Sequence, residues 1–434
     1  MRATSLLRVL LGLNQTIVVA FELVAFGLLV QVKPTTWVPR CGGCGRPCAR
    51  LYDRKLRTWR HLDVLGLRVE LQYQRRRVDC RRCGVTAEMV PWAEPGSRYT
   101  RPFEEVVAYL VQKTDKTTVA SMMGIGWATA GSIIQRVVAR LGPKDLLDGL
   151  TQIGIDELSY RKHHEYITIV TDHGTGRVVW AAPGKSAETL RQFFRELGAE
   201  RAAKLEVVTI DMSPAYIEAV REMAPDARLV FDRFHVQRLA HDALDEVRRA
   251  QVRELAGTPE ASVVKKTRYA LQKNPWNVTQ PESERLSEVQ RRNRPLYRAY
   301  LLKETLAAIL DGRQVNVARS RLLEWSSWAT HSRLEPFKKV AKTVVKHVEG
   351  IVGYVATGLS NGRVEGMNGK VRVLTRRAYG FHSAASLIAM LFLCCSGITL
   401  IIPRFCGHPR WRDTAHGVSH GEEEATQVHG GVQG

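Results

Sequence analysis

The strongest constraint on the fold is a pair of short cysteine motifs near the start of the chain. Two residues separate Cys41 from Cys44, two residues separate Cys80 from Cys83, and a glycine follows the second cysteine of each motif. Such a glycine lets the turn fold back, so that backbone amides can point at the thiolate sulfurs. Two turns of this kind supply the four thiolates of a tetrahedral Zn²⁺ site. Because four protein ligands leave no open coordination position, we expect one structural zinc ion.

The other cysteines leave two alternatives open. Cys48 could replace Cys44 as a ligand, although the symmetry of the two motifs argues against it. The two pairs could also be unrelated to each other. With 8 cysteines in 434 residues, the chain has too few for a disulfide-dense scaffold. The close pairing of four of them favours metal over disulfides, and therefore a reducing compartment.

Basic residues dominate the charge of the chain. Lysine and arginine number 64 against 43 aspartates and glutamates, which gives a net charge of +21 and a pI of about 9.9. Such an excess indicates a polyanionic partner, with nucleic acid first and an anionic membrane second. An arginine cluster beside the second cysteine pair is a predicted phosphate-binding surface, with a solvated basic face as the alternative: Arg75, Arg76, Arg77, Arg81 and Arg82.

Two apolar runs raise the question of a membrane span. They cover residues 17–32, which include Glu22, and the uncharged residues 387–402. Both are shorter than the roughly 20 residues that a spanning helix needs. We expect strands from the first run and a buried helix from the second. The basic start of the chain lacks the small-residue cleavage site of a signal peptide, so no membrane partner is expected.

A helical hairpin follows the cysteine motifs. Apolar spacing predicts a helix over 103–113, a short helix around Val119, a turn at Gly124 and a second helix over 127–141. Helices joined by a glycine-containing turn are typical of a DNA-binding helix-turn-helix, whose second helix enters the major groove. A plain packing hairpin is the alternative. In the DNA-binding interpretation, the second helix presents four polar residues: Thr129, Ser132, Gln135 and Arg136.

The middle of the chain alternates strands with helices. The strand-like segments are IGIDELS, YITIVTD, RVVWAA, LEVVTID and ARLVFDRF, and helices follow Ser186 and Pro214. This alternation predicts an α/β domain with a mixed sheet. From Val236 to about Gly350 the sequence is helical and charge-rich, and from about Arg404 it is polar and expected to be disordered.

Three acidic residues of this region are candidate metal ligands. Asp156 lies inside an apolar strand, where an unpaired charge is costly. Asp211 ends a strand ahead of a proline-initiated helix, and Glu365 enters a basic helical stretch. Three such carboxylates can hold two Mg²⁺ ions about 4 Å apart for an in-line phosphoryl displacement. Spacing alone does not select these three, and Asp211 could instead be a helix cap.

Four sequence strings carry a resemblance to a known family. They are GIDE at 154–157, TIDMSPAY at 209–216, FDRFHV at 231–236 and SNGRVEGMNGKVRVLTRRAYGF at 360–381. With the cysteine motifs and the helical hairpin, they resemble the ISL3 family of insertion-sequence transposases over most of the chain. The resemblance implies an RNase H-like catalytic domain in which Asp156, Asp211 and Glu365 form a metal-binding triad. It also implies two catalytic Mg²⁺ ions, for which Mn²⁺ could substitute.

The resemblance also implies roles for residues around the triad. Asp232 and His235 match an Asp-x-x-His pattern of the family. His235 would position the scissile phosphate or steady the site, and a buried structural histidine is the alternative. A basic set near Glu365 is expected to hold the DNA backbone: Lys370, Arg372, Arg376 and Arg377.

The helical insertion has two further patterns. Lys338, Lys342 and Lys346 recur every four residues and therefore line one helix face. They would lie along transposon-end DNA, or they form the solvated side of an amphipathic helix. Three tryptophans could stack on an unpaired base or pack in the core: Trp276, Trp325 and Trp328.

These observations predict a multidomain α/β chain. Its expected parts are an N-terminal zinc-binding β module over 1–98, a helix-turn-helix domain over 99–150, and an RNase H-like catalytic domain over 151–403. The catalytic domain would contain the helical insertion at about 236–350, and the tail would cover 404–434.

The predicted function is that of a DNA transposase. Such an enzyme binds transposon-end and target DNA, nicks the ends with water and joins the freed 3′-OH to the target. We expect a homo-oligomer on DNA in the bacterial cytoplasm, associated with the nucleoid. The alternatives are a DNA-binding regulator with an inactive α/β domain, and a nuclease of the same fold that does not join strands.

Overall fold

The N-terminal part of the computed structural model is a β module. The structure describes residues 3–161, 165–359, 366, 369–371, 373, 374, 381 and 383–400. Helix α1 (Ala3–Leu10) precedes strands β1 (Thr16–Val24), β2 (Gly27–Pro34), β3 (Leu51–Arg60), β4 (Arg68–Cys80) and β5 (Gly84–Ala87). The sheet order is β1-β2-β4-β3, with β5 paired to the end of β4. Alternating apolar residues of β2 and β4, including Val30, Val69 and Leu71, form its core with Trp59 and Trp92.

The helical hairpin predicted after the cysteine motifs is present as three helices. They are α2 (Arg101–Lys113), α3 (Lys116–Met122) and α4 (Trp127–Leu141). Thr100 caps α2 and Asp115 caps α3 by accepting a hydrogen bond from a backbone amide three residues on. Gly124, at φ +59°, provides the turn between α3 and α4.

The α/β domain has a five-stranded mixed sheet. Its strands are β6 (Gln152–Arg161), β7 (Glu165–Asp172), β8 (Val178–Pro183), β9 (Val207–Ile210) and β10 (Arg228–Phe231), in the order β10-β9-β6-β7-β8. Strands β6, β7 and β8 pair antiparallel, whereas β9 pairs parallel to both β6 and β10. Helices α5 (Ala187–Leu197), α6 (Ala199–Ala202) and α7 (Pro214–Met223) connect the strands. This order and direction of strands is the RNase H-like sheet that the family resemblance implied.

The charge-rich segment after the sheet is helical, as predicted. It contains α8 (Arg233–Glu254), α9 (Pro259–Lys265), α10 (Arg268–Gln272), a 3-10 turn (Pro275–Asn277), α11 (Gln280–Arg292), α12 (Arg294–Leu310), α13 (Val315–His331), α14 (Glu335–Lys346) and α15 (Val348–Thr357). Its apolar residues share one continuous core with the sheet, in which Leu322, Trp325 and Phe337 join Ile153 and Ile210. The helical segment and the sheet therefore pack around one common core.

The first apolar run forms strands, as expected, whereas the second is helical only as far as Cys395, residues 396–400 are not helical, and residues 401–402 lie outside the described part of the chain. Residues 17–32 form most of the hairpin of β1 and β2, and residues 384–395 form helix α16 (Ala384–Cys395). Leu387, Leu391 and Leu393 of α16 are buried in a core shared with α2 and α4. Within the described ranges, no helix is long and apolar enough to cross a membrane.

Candidate active site and metal centre

The four predicted zinc ligands meet at one point of the β module. The sulfur atoms of Cys41, Cys44, Cys80 and Cys83 all lie within 4.8 Å of one another. Cys48 is not in this group, because its thiol donates to the carbonyl oxygen of Asp79 at 3.1 Å. The structure therefore selects Cys44 over Cys48, as the symmetry of the motifs indicated.

Glycines shape both cysteine turns. Gly45 and Gly84, which follow the second cysteines, both have φ +70°, a conformation that favours glycine. The amide of Gly43 points at the Cys41 sulfur at 3.4 Å, and a Cβ atom on Gly43 would lie 3.1 Å from the Cys83 sulfur. The turns thus bring backbone amides close to the sulfurs, and a side chain on Gly43 would crowd the cluster.

The ionisation of the thiols points to a cation among them. Backbone amides, first that of Cys44, lower the pKa of Cys41 to about 7. Contact with Cys44 and Cys41 raises the pKa of Cys83 to about 12. The cluster readily forms one thiolate but resists forming four, since like charges at this separation repel. A bound Zn²⁺ removes that resistance, so the donor set suits a structural zinc site.

The predicted phosphate-binding arginines mostly contact the protein itself. Arg76 pairs with the fully buried carboxylate of Glu88 at 2.7 Å, and Arg75 donates to the Glu88 carbonyl at 2.7 Å. Arg77 is ion-paired with Asp53. Sequence proximity did not reveal these partners, because they come from β3 and from the segment after β5. Of the cluster, Arg81 and Arg82 are exposed in the turn between Cys80 and Cys83.

Helix α4 presents part of the predicted recognition set. Ser132 and Gln135 are exposed on its outer face, and Thr129 is half-buried at its start. Arg136 instead turns towards α2, where its Nε lies 2.7 Å from Oε1 of the fully buried Glu104. Three of the four residues are thus placed on or near the outer face, while Arg136 connects two helices.

Two of the three predicted catalytic carboxylates lie side by side. Strands β6 and β9 are parallel, with Gly154 opposite Thr209. Extended by two residues, to the residue after β9, this register puts Asp156 opposite Asp211, and the charge of Asp156 acts on Asp211. A backbone amide holds each carboxylate, that of Glu157 at 2.7 Å from Asp156 and that of Ser213 at 2.9 Å from Asp211. Asp211 directly follows the carboxyl end of β9, where ligands of α/β proteins bind, and Asp156 lies in the middle of the neighbouring strand β6.

The electrostatics of this pair favour a cation. Burial raises the pKa of Asp211 above its usual range, and the charge of Asp156 raises it further. The Ser213 amide and His235 act in the opposite direction. Two partly buried carboxylates that repel each other are stabilised by an ion with oxygen preference, so these residues suit Mg²⁺.

A third carboxylate lies on the adjacent strand end. The amide of Asp232 donates to the Ile210 carbonyl at 3.1 Å, and its side chain is buried and accepts from the Phe234 amide at 3.3 Å. Nε2 of His235 lies 3.9 Å from the Asp232 carboxylate. Asp232 caps α8, and His235 is half-exposed at the start of that helix rather than buried.

The remaining predicted residues fall mostly outside the described part of the chain. Glu365 is among those outside it, with Arg372, Arg376 and Arg377. Lys370 is described and exposed. Burial raises the pKa of the Cys395 thiol in α16 to about 11. The positive charge of Lys370 acts in the opposite direction and lowers this pKa.

Sequence reasoning missed a polar group beside Asp211. Burial and then the charge of Asp211 raise the pKa of Glu157, whereas Lys185 and the hydroxyl of Tyr216 lower it. The fully buried Tyr216 hydroxyl lies 2.7 Å from the hydroxyl of Thr168. Glu157 and Tyr216 both belong to strings that carried the family resemblance, and that was the available signal.

Comparison with known proteins agrees with these features. Residues 153–391 match an ISL3 family model described as a transposase. Residues 88–138 match the helix-turn-helix domain of transposase family ISL3. Residues 37–83 match the zinc-finger of transposase IS204/IS1001/IS1096/IS1165. A transposase for insertion sequence element IS1557 from Mycobacterium tuberculosis is 38% identical, over 94% of this chain and 99% of its own length. A transposase for insertion sequence element IS1001 from Bordetella parapertussis is 30% identical, over 82% of this chain and 88% of its own length.

Proposed function

The chain belongs to the ISL3 family of insertion-sequence transposases, and from this premise we propose that Asp156, Asp211 and Glu365 hold two Mg²⁺ ions for DNA cleavage and strand transfer. The observation that supports the proposal is the parallel pairing of β6 with β9, because its register leads from Gly154 and Thr209 to Asp156 within β6 and Asp211 just after β9. The part of Glu365 rests on the family resemblance. When bound, such ions stabilise the attacking and leaving oxygens of an in-line phosphoryl displacement, and Mn²⁺ can take their place.

The side chains of the centre hold and orient the reacting groups. Asp156 and Asp211, each held by a backbone amide, offer carboxylate oxygens as metal ligands. His235 is half-exposed near both Asp232 and Asp211, and we assign it to the non-bridging oxygen of the scissile phosphate. Water is the nucleophile in cleavage and the 3′-OH is the nucleophile in joining, so no covalent protein intermediate is needed.

The N-terminal modules recognise the DNA in this proposal. One structural Zn²⁺ on the four cysteines fixes the β module, and Arg81 and Arg82 extend from it towards DNA phosphates. Ser132 and Gln135, with Thr129, face the base edges at the transposon end. Exposed Lys370 lies on the DNA backbone, and we assign Arg372, Arg376 and Arg377 to the same role from the resemblance. The protein would act as a homo-oligomer on transposon-end and target DNA, at the bacterial nucleoid.

A regulator with an inactive α/β domain is not favoured. The transposase model spans the α/β domain and its insertion, residues 153–391. A regulator also has no need for adjacent carboxylates at strand ends, since such a pair costs stability unless a cation binds it. A nuclease without strand joining uses the same centre, and only a joining assay separates it from the proposal.

The decisive experiment measures cleavage and joining on a duplex that carries the element's own end, with Mg²⁺. Asp156→Asn should lose both activities and keep end-DNA binding. Asp172→Asn is the matched control, because the Asp172 carboxylate accepts from the amides of Gly174 and Thr175 at 3.0 Å and closes a turn at the other end of the strand pair. An Asp156→Asn protein that still cleaves would remove the proposed centre. Cleavage without any joined product would favour the nuclease.

A further inference from the structure

A cavity at the edge of the catalytic sheet has no role in the proposed chemistry. It has a volume of about 440 Å³ and lies between β10, the end of α14 and the start of α15. Phe231 and Gly350 line its inner part. Four cations line it as well, of which Arg319 is paired with Glu349 and three have no such partner in the described part of the chain: Arg221, Arg228 and Lys346.

These three cations are exposed and carry no acidic partner within the described ranges. Neighbouring arginines, in contrast, have acidic partners. Arg319, which also lines the cavity, is paired with Glu349, and Arg191 of α5 bridges Glu218 and Glu222. The cavity thus collects positive charge that the protein does not neutralise. Such a concentration is expected where a polyanion binds.

The positive charges of Lys346 and Arg221 also affect His347, which lines the same cavity. Burial lowers the pKa of His347 below its usual range, and Lys346 and Arg221 lower it further. An anion in the cavity would oppose the charge of Lys346 and Arg221.

The cavity is built from rigid elements. Helix α15 lies so close to β10 that a Cβ atom on Gly350 would collide with the Phe231 ring. The His347 ring packs edge-on against Phe231 with the centroids 5.1 Å apart. The cations are thus mounted on a strand and helices of the common core, and ordering them on a ligand costs little backbone entropy.

The basic surface continues along the insertion. Lys346 also lines a groove of about 470 Å³ between α13 and α14, together with Lys342, Ser327, Thr330 and His331. Lys338, the third lysine of the predicted stripe, is instead ion-paired with Glu335. Two of the three lysines therefore lie along a groove that adjoins the cavity and whose lining also includes the apolar side chains of Leu323, Ala341 and Val345.

We propose that this cavity and the adjoining groove bind consecutive backbone phosphates of duplex DNA. Arg228 begins β10 and Asp232 follows its end, a rise of roughly 13 Å at about 3.3 Å per residue. This is shorter than one turn of DNA, about 34 Å, so one duplex can contact both the cavity and the catalytic centre. Contacts of lysine and arginine to backbone phosphates position a protein on DNA and carry no sequence information. The inference rests on the proposed function, since it takes DNA as the polyanion.

The test compares two double variants of the full-length, zinc-loaded protein. Arg228→Ala with Lys346→Ala removes two cations of the cavity. Arg253→Ala with Lys339→Ala removes an exposed arginine of α8 and an exposed lysine of α14 that line neither the cavity nor the groove. Both change the net charge equally. Affinity for a labelled duplex of random sequence is measured over a series of KCl concentrations.

Each phosphate contact contributes about 0.9 to the slope of log K against log salt. For the cavity variant, Arg228→Ala with Lys346→Ala, the magnitude of the slope should be smaller by about 2, and the thermal midpoint should be unchanged. The control variant, Arg253→Ala with Lys339→Ala, should have the wild-type slope. Equal slopes for the two variants would overturn the inference, because net charge alone would then account for the loss. Tight binding of free pyrophosphate that duplex DNA does not displace would also overturn it.

The outcome is separable from that of the proposed function. A wild-type slope in the cavity variant would remove this DNA contact and leave the catalytic proposal intact. Cleavage by Asp156→Asn would remove the catalytic proposal and leave the slope measurement unaffected.

Discussion

Nε of Arg136 in helix α4 lies 2.7 Å from Oε1 of the fully buried Glu104 in helix α2. Ser97 donates to the same carboxylate at 2.7 Å, and Arg140 lies within 3.8 Å of it. A polar position that would face DNA on an isolated helix is thus used to neutralise a buried charge. The helix-turn-helix is tied to the segment after the β module through this network.

Replacing Arg136 should therefore destabilise the domain. Removing one partner of a buried ion pair costs about 3–5 kcal/mol, and the remaining contacts of Glu104 should reduce this to about 2–3 kcal/mol for Arg136→Ala. Hydrogen exchange of the α2 and α4 amides measures the loss. In a Glu104→Gln background the same substitution should cost much less, and an equal cost in both backgrounds would show that the pair is not coupled.

Sequence discrimination should depend on the exposed face of α4. Ser132→Ala with Gln135→Ala should reduce the ratio of specific to random DNA affinity, because a good bidentate side-chain contact to a base contributes about 1–3 kcal/mol of discrimination. Competition binding with the element's end and a random duplex measures the ratio. Lys144→Ala, which removes an exposed cation beyond α4, should weaken both affinities and leave the ratio unchanged.

The zinc site should determine the stability of the β module. Cys80→Ser should lower zinc content and abolish hydrogen-exchange protection around the two cysteine turns, because structural zinc binding is folding free energy for a small module. The five-stranded catalytic sheet should keep its protection. Cys48→Ser removes only a hydrogen bond to the Asp79 carbonyl and should retain zinc. Purified protein without zinc would contradict the assignment.

Ionised Asp211 should lower the stability of the metal-free fold, although the proposed function needs its charge to bind metal. Its pKa is raised in the folded protein by burial and by Asp156. A carboxylate whose pKa is raised in the folded state destabilises the fold when it is ionised. This penalty is complete above the folded-state pKa and disappears as the pH falls from that value to the lower unfolded-state pKa. Asp211→Asn should therefore be inactive but more heat-stable than the wild type without metal at pH 7.

Mg²⁺ should reverse the order of thermal stability of the wild type and Asp211→Asn. An ion that binds only the folded state raises the unfolding temperature of the wild type and should leave Asp211→Asn unchanged. Thermal unfolding with and without Mg²⁺ measures both effects. A variant that gains as much stability from Mg²⁺ as the wild type would place the metal elsewhere. For the same reason, activity should fall as the pH drops towards the raised pKa, since protons then compete with the metal.

The sequence by itself determined those features that depend on local spacing. Two cysteine turns with their glycines, the helices of the hairpin and the five strands of the sheet follow from patterns within a few residues of each other, and the structure contains all of them. Family strings selected Asp156 and Asp211 from the acidic residues, and the parallel register brings them together. The proposed place of Glu365 rests on the same strings.

Only the tertiary structure decided which charged side chains are free. Arg76 and Arg136 looked like DNA contacts, but each meets a buried glutamate that lies far from it in sequence or on another helix. In the sequence, Lys346 is one of three lysines with equivalent spacing. In the structure, Lys346 lines a cavity together with residues of β10 and α15. Periodicity fixes the face on which a residue lies, because it depends on backbone geometry alone. The partner of that residue depends on long-range packing, and no local pattern encodes it.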